Sequence, residues 1–177
     1  MERKVIVKTG LTDDASIDYL LAMFDDARAT TLQRISDLSV EELHWQYAEG
    51  WNSISVLLEH IISCSHYFRI WLFEKREFTE EEEKVVKPGK EMGKYIPELI
   101  AKNKGLDYYI AELAVSRKQM NEAISKLTKE EFFERIEGYS EETGTNLAWV
   151  LYHVVEDEVH HRGQISMIRK LFKARNN

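Results

Sequence analysis

The chain has 177 residues, 44% of them hydrophobic, and its 24 Lys and Arg against 31 Asp and Glu give a formal charge of −7. That acidic balance argues against general nucleic-acid binding, which needs a basic stripe to replace counterions, and no apolar run reaches the ~20 residues that span a bilayer. The lone cysteine, Cys64, excludes an internal disulfide and points to a reducing, cytoplasmic compartment.

Residues 1–10 are short and charged, without the apolar core of a signal peptide. A chain of this length buries roughly 70% of its unfolded surface, so one domain over residues 1–177 is expected. Only two prolines and eight glycines interrupt it, which favours long helices.

Apolar residues recur at three and four nearly everywhere, the helical period. A first helix is predicted over about 14–38, with Ile17, Leu20, Leu21, Phe24, Thr31, Ile35 and Leu38 inward and Thr12 or Asp13 as its cap. Ser39-Val-Glu-Glu42 reads as a capping box that opens a short turn. A second helix is predicted over about 53–74, burying Ile54, Leu57, Leu58, Ile61, Phe68, Trp71 and Leu72. Residues 77–104 break the rhythm with the acidic run 80–83 and both prolines, and read as a long crossover with a short helix near 96–101. A third helix follows over about 105–127, and Thr128-Lys-Glu-Glu131 is a second capping box. The fourth helix is predicted over about 146–172. No segment alternates at period two, so no sheet is expected.

A shift of 89 residues lays Ile17 on Leu106, Leu21 on Ile110, Phe24 on Leu113 and Ile35 on Ile124. The two capping boxes coincide under the same shift. The prediction is therefore an all-α four-helix bundle, built from two pseudo-repeated helical hairpins joined by a long crossover between helices 2 and 3.

The fourth helix carries the chemistry. Its apolar stripe, Val150, Val154, Ile165, Ile168 and Phe172, is interrupted at Asp157 and His161. Residues four apart lie one above the other, ~6 Å along the axis, so these two side chains point the same way and can share a metal ion. Burying them unpaired would be costly. A third ligand should come from a neighbouring helix, and His60 on the inner row of helix 2 is the candidate. Such a set leaves coordination positions open, as catalytic metal sites do, and suits zinc, nickel or another divalent first-row metal. His153, one turn before Asp157, is a fourth ligand, a supporting group or an edge-of-core histidine. His160 sits off the stripe, and Cys64 lies one turn from His60. Arg28 and Arg117, equated by the repeat, interrupt apolar rows. The default reading is that their stems snorkel to water; the sharper one is that they anchor an anionic substrate.

Trp51-Asn-Ser-Ile-Ser-Val-Leu-Leu-Glu-His60 on helix 2, with Asp157-Glu-Val-His-His161-Arg-Gly-Gln on helix 4, resembles the DinB/YfiT-like family of metal-dependent enzymes. The resemblance runs from helix 1 to about Leu171, and the ending His161-Arg-Gly-Gln164 is its most specific part. It implies a four-helix bundle, often homodimeric, with a divalent metal on three histidines. It also implies a low-molecular-weight thiol cosubstrate and transfer of that thiol to a small electrophile, since relatives include bacillithiol- and mycothiol-dependent S-transferases and a mycothiol-dependent maleylpyruvate isomerase. By position His60 matches the helix-2 ligand and His161 the second ligand of helix 4. Asp157 stands where the first helix-4 ligand is usually histidine, which adds negative charge and shifts preference toward harder metals; His153 is the alternative arm. The rival functions are water activation for hydrolysis at the same site, and a non-catalytic bundle with a degenerate site that binds a partner or small ligand.

Overall fold

The structure, a computed structural model, describes residues 8–136 and 144–175. Four long helices form the bundle: α1 (Ala15–Ile35), α3 (Ile54–Arg69), α6 (Leu106–Ile124) and α8 (Leu147–Arg175). Short α2 (Val40–His44) precedes α3, and short α7 (Lys129–Phe132) precedes α8, so the long–short–long order occurs twice. The main packing runs α1 to α8, α8 to α3, α3 to α6 and α6 to α1, which sets α1 and α3 diagonally across the bundle. Among the described residues there is no strand; Arg135 and Asn146 make one isolated bridge at the start of α8. Among the described residues no helix is long and apolar enough to cross a membrane.

The predicted inward rows are buried except at Phe68, Trp71 and Ile168, which are half-buried. Ile17, Leu21, Phe24, Met120, Ile124, Val150 and Leu151 fill one end of the core. Ile35, Leu57, Leu58, Tyr109, Leu113 and Ile165 fill the other.

The helix starts follow local hydrogen bonding. Asp14, rather than Thr12 or Asp13, caps α1, accepting from the N–H groups of Ser16 and Ile17. Thr12 is spent one step earlier, accepting from the Asp14 N–H at 3.3 Å. Thr128 and Glu131 form the full reciprocal box before α7. Ser39 forms only its half, accepting from Glu42 N–H, because the Glu42 carboxylate instead accepts from Arg169 of α8 at 2.9 Å.

Two segments depart from the sequence expectation. The second bundle helix is α-helical only to Arg69 and continues as a wider π-helical turn, Ile70–Glu74. That wider winding lines up residues five apart and pairs Arg69 with Glu74. The crossover also holds more helix than expected: besides α5 (Ile96–Ala101), it contains α4 (Glu80–Glu91). The acidic run that read as the opening of the crossover is the first turn of α4, where carboxylates favour the positive end of the dipole, and Thr79 with Glu82 caps it reciprocally. Pro88 lies inside α4 and removes one backbone donor; two residues after the helix, Gly93 lies at φ 48. Gly89 lets α4 approach α3, since a Cβ there would overlap Ser63 Oγ and stand 2.8 Å from the Glu59 carbonyl.

Both arginines that interrupt apolar rows are buried, and neither snorkels to water. They converge on Glu158 of α8. Arg28 Nε donates to Oε1 at 2.7 Å and Arg28 Nη2 to Oε2 at 3.2 Å. Arg117 Nη2 donates to Oε2 as well, and its guanidinium lies 4.5 Å from the centre of the Phe24 ring. Burial, with Arg28 beside it, pulls Arg117 down to about 9, against the opposing charge of Glu158. Burial pushes Glu158 up, but the charges of Arg28 and Arg117 outweigh it and hold the carboxyl below its ordinary value.

Removing the shared anion strands two buried cations. Glu158→Gln is expected to lower the unfolding free energy by about 3–5 kcal/mol in urea titration; a loss under about 1 kcal/mol would show that the triad is dispensable. Gly89→Ala must push α4 from α3 and is expected to cost about 1–3 kcal/mol in the same measurement, with no loss expected if α4 can slide freely.

Candidate metal centre

His60 sits mid-way along α3 and Asp157 and His161 lie one turn apart on α8, the helix packed beside it. The structure brings all three together, with one ligand atom from each within 4.8 Å of the others. His60 Nε2 lies 3.5 Å from Asp157 Oδ2, and His161 Nε2 lies 3.2 Å from Asp157 Oδ1. Donor atoms around a tetrahedral zinc at ~2.0–2.1 Å stand ~3.3 Å apart, so these separations need little adjustment to accept an ion. The two imidazoles meet edge to face, their centres 4.7 Å apart.

Each imidazole is aimed from behind. His60 Nδ1 lies 3.0 Å from the Gly89 carbonyl of α4, and His161 Nδ1 lies 2.8 Å from Gln164 Oε1. Because both partners accept, both Nδ1 atoms carry a proton, which leaves each Nε2 either to offer a lone pair to a metal or, when protonated, to donate to Asp157. Gln164 Nε2 in turn reaches His160 Nε2 at 3.0 Å. Without a metal, Asp157 answers both rings. Burial alone would depress His60, but hydrogen bonding to Asp157 and its charge, with the Gly89 and Lys90 carbonyls, raise it above its ordinary value. Burial pushes Asp157 up, yet the hydrogen bonds and charges of His161 and His60 hold it well below the usual carboxylate range. The donor set, two neutral-capable imidazoles and one carboxylate on rigid helices, can hold a divalent metal ion.

The remaining sequence candidates lie elsewhere or beside the group. His153 is not part of it: the ring stacks on Trp149 at 5.4 Å and Nδ1 faces Glu156 Oε2 at 3.1 Å. Arg28 and Arg117 hold the internal carboxylate of Glu158. Cys64 does approach, its Sγ 3.5 Å from His60 Nε2. Burial first, and then the Asp157 charge, push its thiol up to about 12, so it is protonated near neutral pH. His44 bridges Ser55 and the Lys104 carbonyl at 3.0 Å each, tying α2 to α3.

Sequence reading assigned no role to Gly89, Gln164 or Glu158. Gln164 was the legible one, since a residue three after His161 shares its helix face. Two arginines in apolar rows also signalled a missing buried anion, which is Glu158. The Gly89 carbonyl had no sequence signal, because its place depends on how α4 lies on α3.

A comparison with curated proteins finds no match. The family model of the DinB superfamily matches residues 23–165, a span that contains His60, Asp157, His161 and Gln164. Since that span is well over half of the sequence, the chain belongs to the DinB superfamily.

Proposed function

We propose that this chain is a metal-dependent enzyme in which His60, Asp157 and His161 hold one divalent cation, zinc or nickel, and that it transfers a low-molecular-weight thiol to a small electrophile. The observation that carries the reading is the convergence of three ligand atoms whose imidazoles are each fixed by a carbonyl behind them. A cation bound there would supply Lewis acidity, lowering the pKa of a thiol or water at its open position. The chain's own residues orient and charge-balance that position: Asp157 offsets part of the positive charge, and Gly89 and Gln164 hold the rings. The thiol sulfur forms the new bond to the electrophilic carbon, the leaving group departs with the electrons of the broken bond, and the thiol proton passes to solvent. Thiol as the nucleophile, in place of water, rests on the family resemblance. Reacting the zinc-loaded protein with an activated aryl halide, with and without added thiol, separates transferase from hydrolase.

One observation favours a non-catalytic reading instead: Asp157 already satisfies both imidazoles without a metal. Metal uptake decides between them. Chelator-stripped wild type is expected to take up one zinc per chain in calorimetric titration, and His60→Ala/His161→Ala none. Undiminished uptake by the double variant overturns the site assignment. Gln164→Ala, which frees the His161 ring, should weaken zinc about 10–100-fold.

Proton and metal compete for His60 Nε2, and the folded pKa of His60 is raised. Affinity is therefore full above that raised value and falls as pH drops through it, about tenfold per unit for each proton displaced. Zinc titrations between pH 8 and pH 5 check this; a flat profile would mean that His60 is not a ligand.

A further inference from the structure

A cavity of about 500 Å³ lies against the candidate metal centre without opening onto its ligand atoms. The volume is in the range of small-molecule pockets. His60, Asp157, His161 and Cys64 do not line it; the wall includes one group that holds an imidazole in place. Gln164, which accepts from His161 Nδ1, is one lining residue. Glu91, Met92 and Gly93 are others, two to four residues after Gly89, whose carbonyl fixes His60. The cavity thus shares Gln164 with the His161 support and comes within two residues of the Gly89 support of His60.

Its chemistry is specific. Tyr47 and Trp51 present rings 5.1 Å apart, tilted by 49°, and each is 56% exposed. Met92, Ile96, Met167 and Ile168 add apolar wall. Glu91 is the acidic lining residue, and no lysine or arginine is among the described residues that line the cavity. Aromatic faces beside a carboxylate attract a cation carried on an apolar body and disfavour an anion. Met92 lies at φ 49, ψ −123, a conformation that side-chain-bearing residues avoid and that concentrates at ligand clamps.

We propose that this cavity binds a small aromatic amine, and that its occupancy is coupled to metal binding through Gln164 and the segment from Gly89 to Gly93. The binding half stands without the metal; the coupling half rests on the metal reading above. By linkage, each ligand must change the affinity of the other by one common factor.

The test begins with metal-free full-length protein titrated calorimetrically with 2-(aminomethyl)naphthalene, and with 2-naphthoate as the anion of matched ring size. One amine per chain is expected, with naphthoate at least about tenfold weaker. Trp51→Ala removes a ring and Met167→Trp fills the cavity, both at exposed positions that the core does not need, and each should weaken the amine about tenfold or more. No saturable amine binding, equal binding of amine and naphthoate, or wild-type binding by both variants overturns the site. Zinc is then titrated with and without saturating amine. A shift of at least about threefold in zinc affinity, mirrored in amine affinity, supports the coupling, and an unchanged zinc affinity overturns it. A protein that binds the amine but takes up no zinc refutes the metal reading and the coupling with it, while the amine site stands.

Discussion

Two consecutive carboxylates on α8 organise this molecule. Successive helical residues point about 100° apart, so Asp157 and Glu158 cannot share a face. Glu158 turns toward α1 and α6, where it holds Arg28 and Arg117. Asp157 turns toward α3, where it meets His60 as well as its own neighbour His161. A buried guanidinium cannot be left unpaired without a large penalty, so the Glu158 triad fixes the rotation of α8 about its axis. Once that rotation is set, the direction in which Asp157 and His161 point is set too. A structural ion cluster on one side of the helix thereby aims the ligand groups on the other.

The rest of the site depends on the crossover. It holds α4 close along α3 because residue 89 has no side chain, and the carbonyl of that residue takes the Nδ1 proton of His60. On the other ring, Gln164 does the same work from within α8. The candidate centre is thus built in layers: potential ligand atoms from two bundle helices, and their carbonyl supports from α4 and α8. Asp157 sets the electrostatics of the innermost layer. It supplies a full negative charge that offsets part of the charge of a bound cation, and in the absence of metal it stabilises protonated imidazole.

Much of this was legible in the sequence, and the reasons are physical. Long amphipathic periods name the buried rows of α1, α3, α6 and α8 because packing repeats every three or four residues. Asp157 and His161 stand out because polar side chains on an apolar stripe demand a partner, and His60 follows because two groups make no competent site and the third was expected from a neighbouring helix. The failures share a cause as well. An acidic run with no apolar period reads as loop, yet α4 forms because its cap and dipole favour those charges and because Gly89 fits against Ser63. The arginine rows read as snorkelling side chains because Glu158 is distant in sequence from both. The cap of α2 reads as a full box because the competing pull of Arg169 on Glu42 comes from the far end of the chain. Local propensity is visible in one dimension; competition for the same carboxylate is not.

The most direct test of the central claim is the location of a metal by anomalous X-ray scattering from crystals grown with zinc. The account predicts one peak per chain, ligated by His60 Nε2, His161 Nε2 and a carboxylate oxygen of Asp157 at ~2.0–2.2 Å, with the Gly89 and Gln164 carbonyls still on the two Nδ1 atoms. A peak ligated through His153, or no peak between α3 and α8 at saturating zinc, would contradict it.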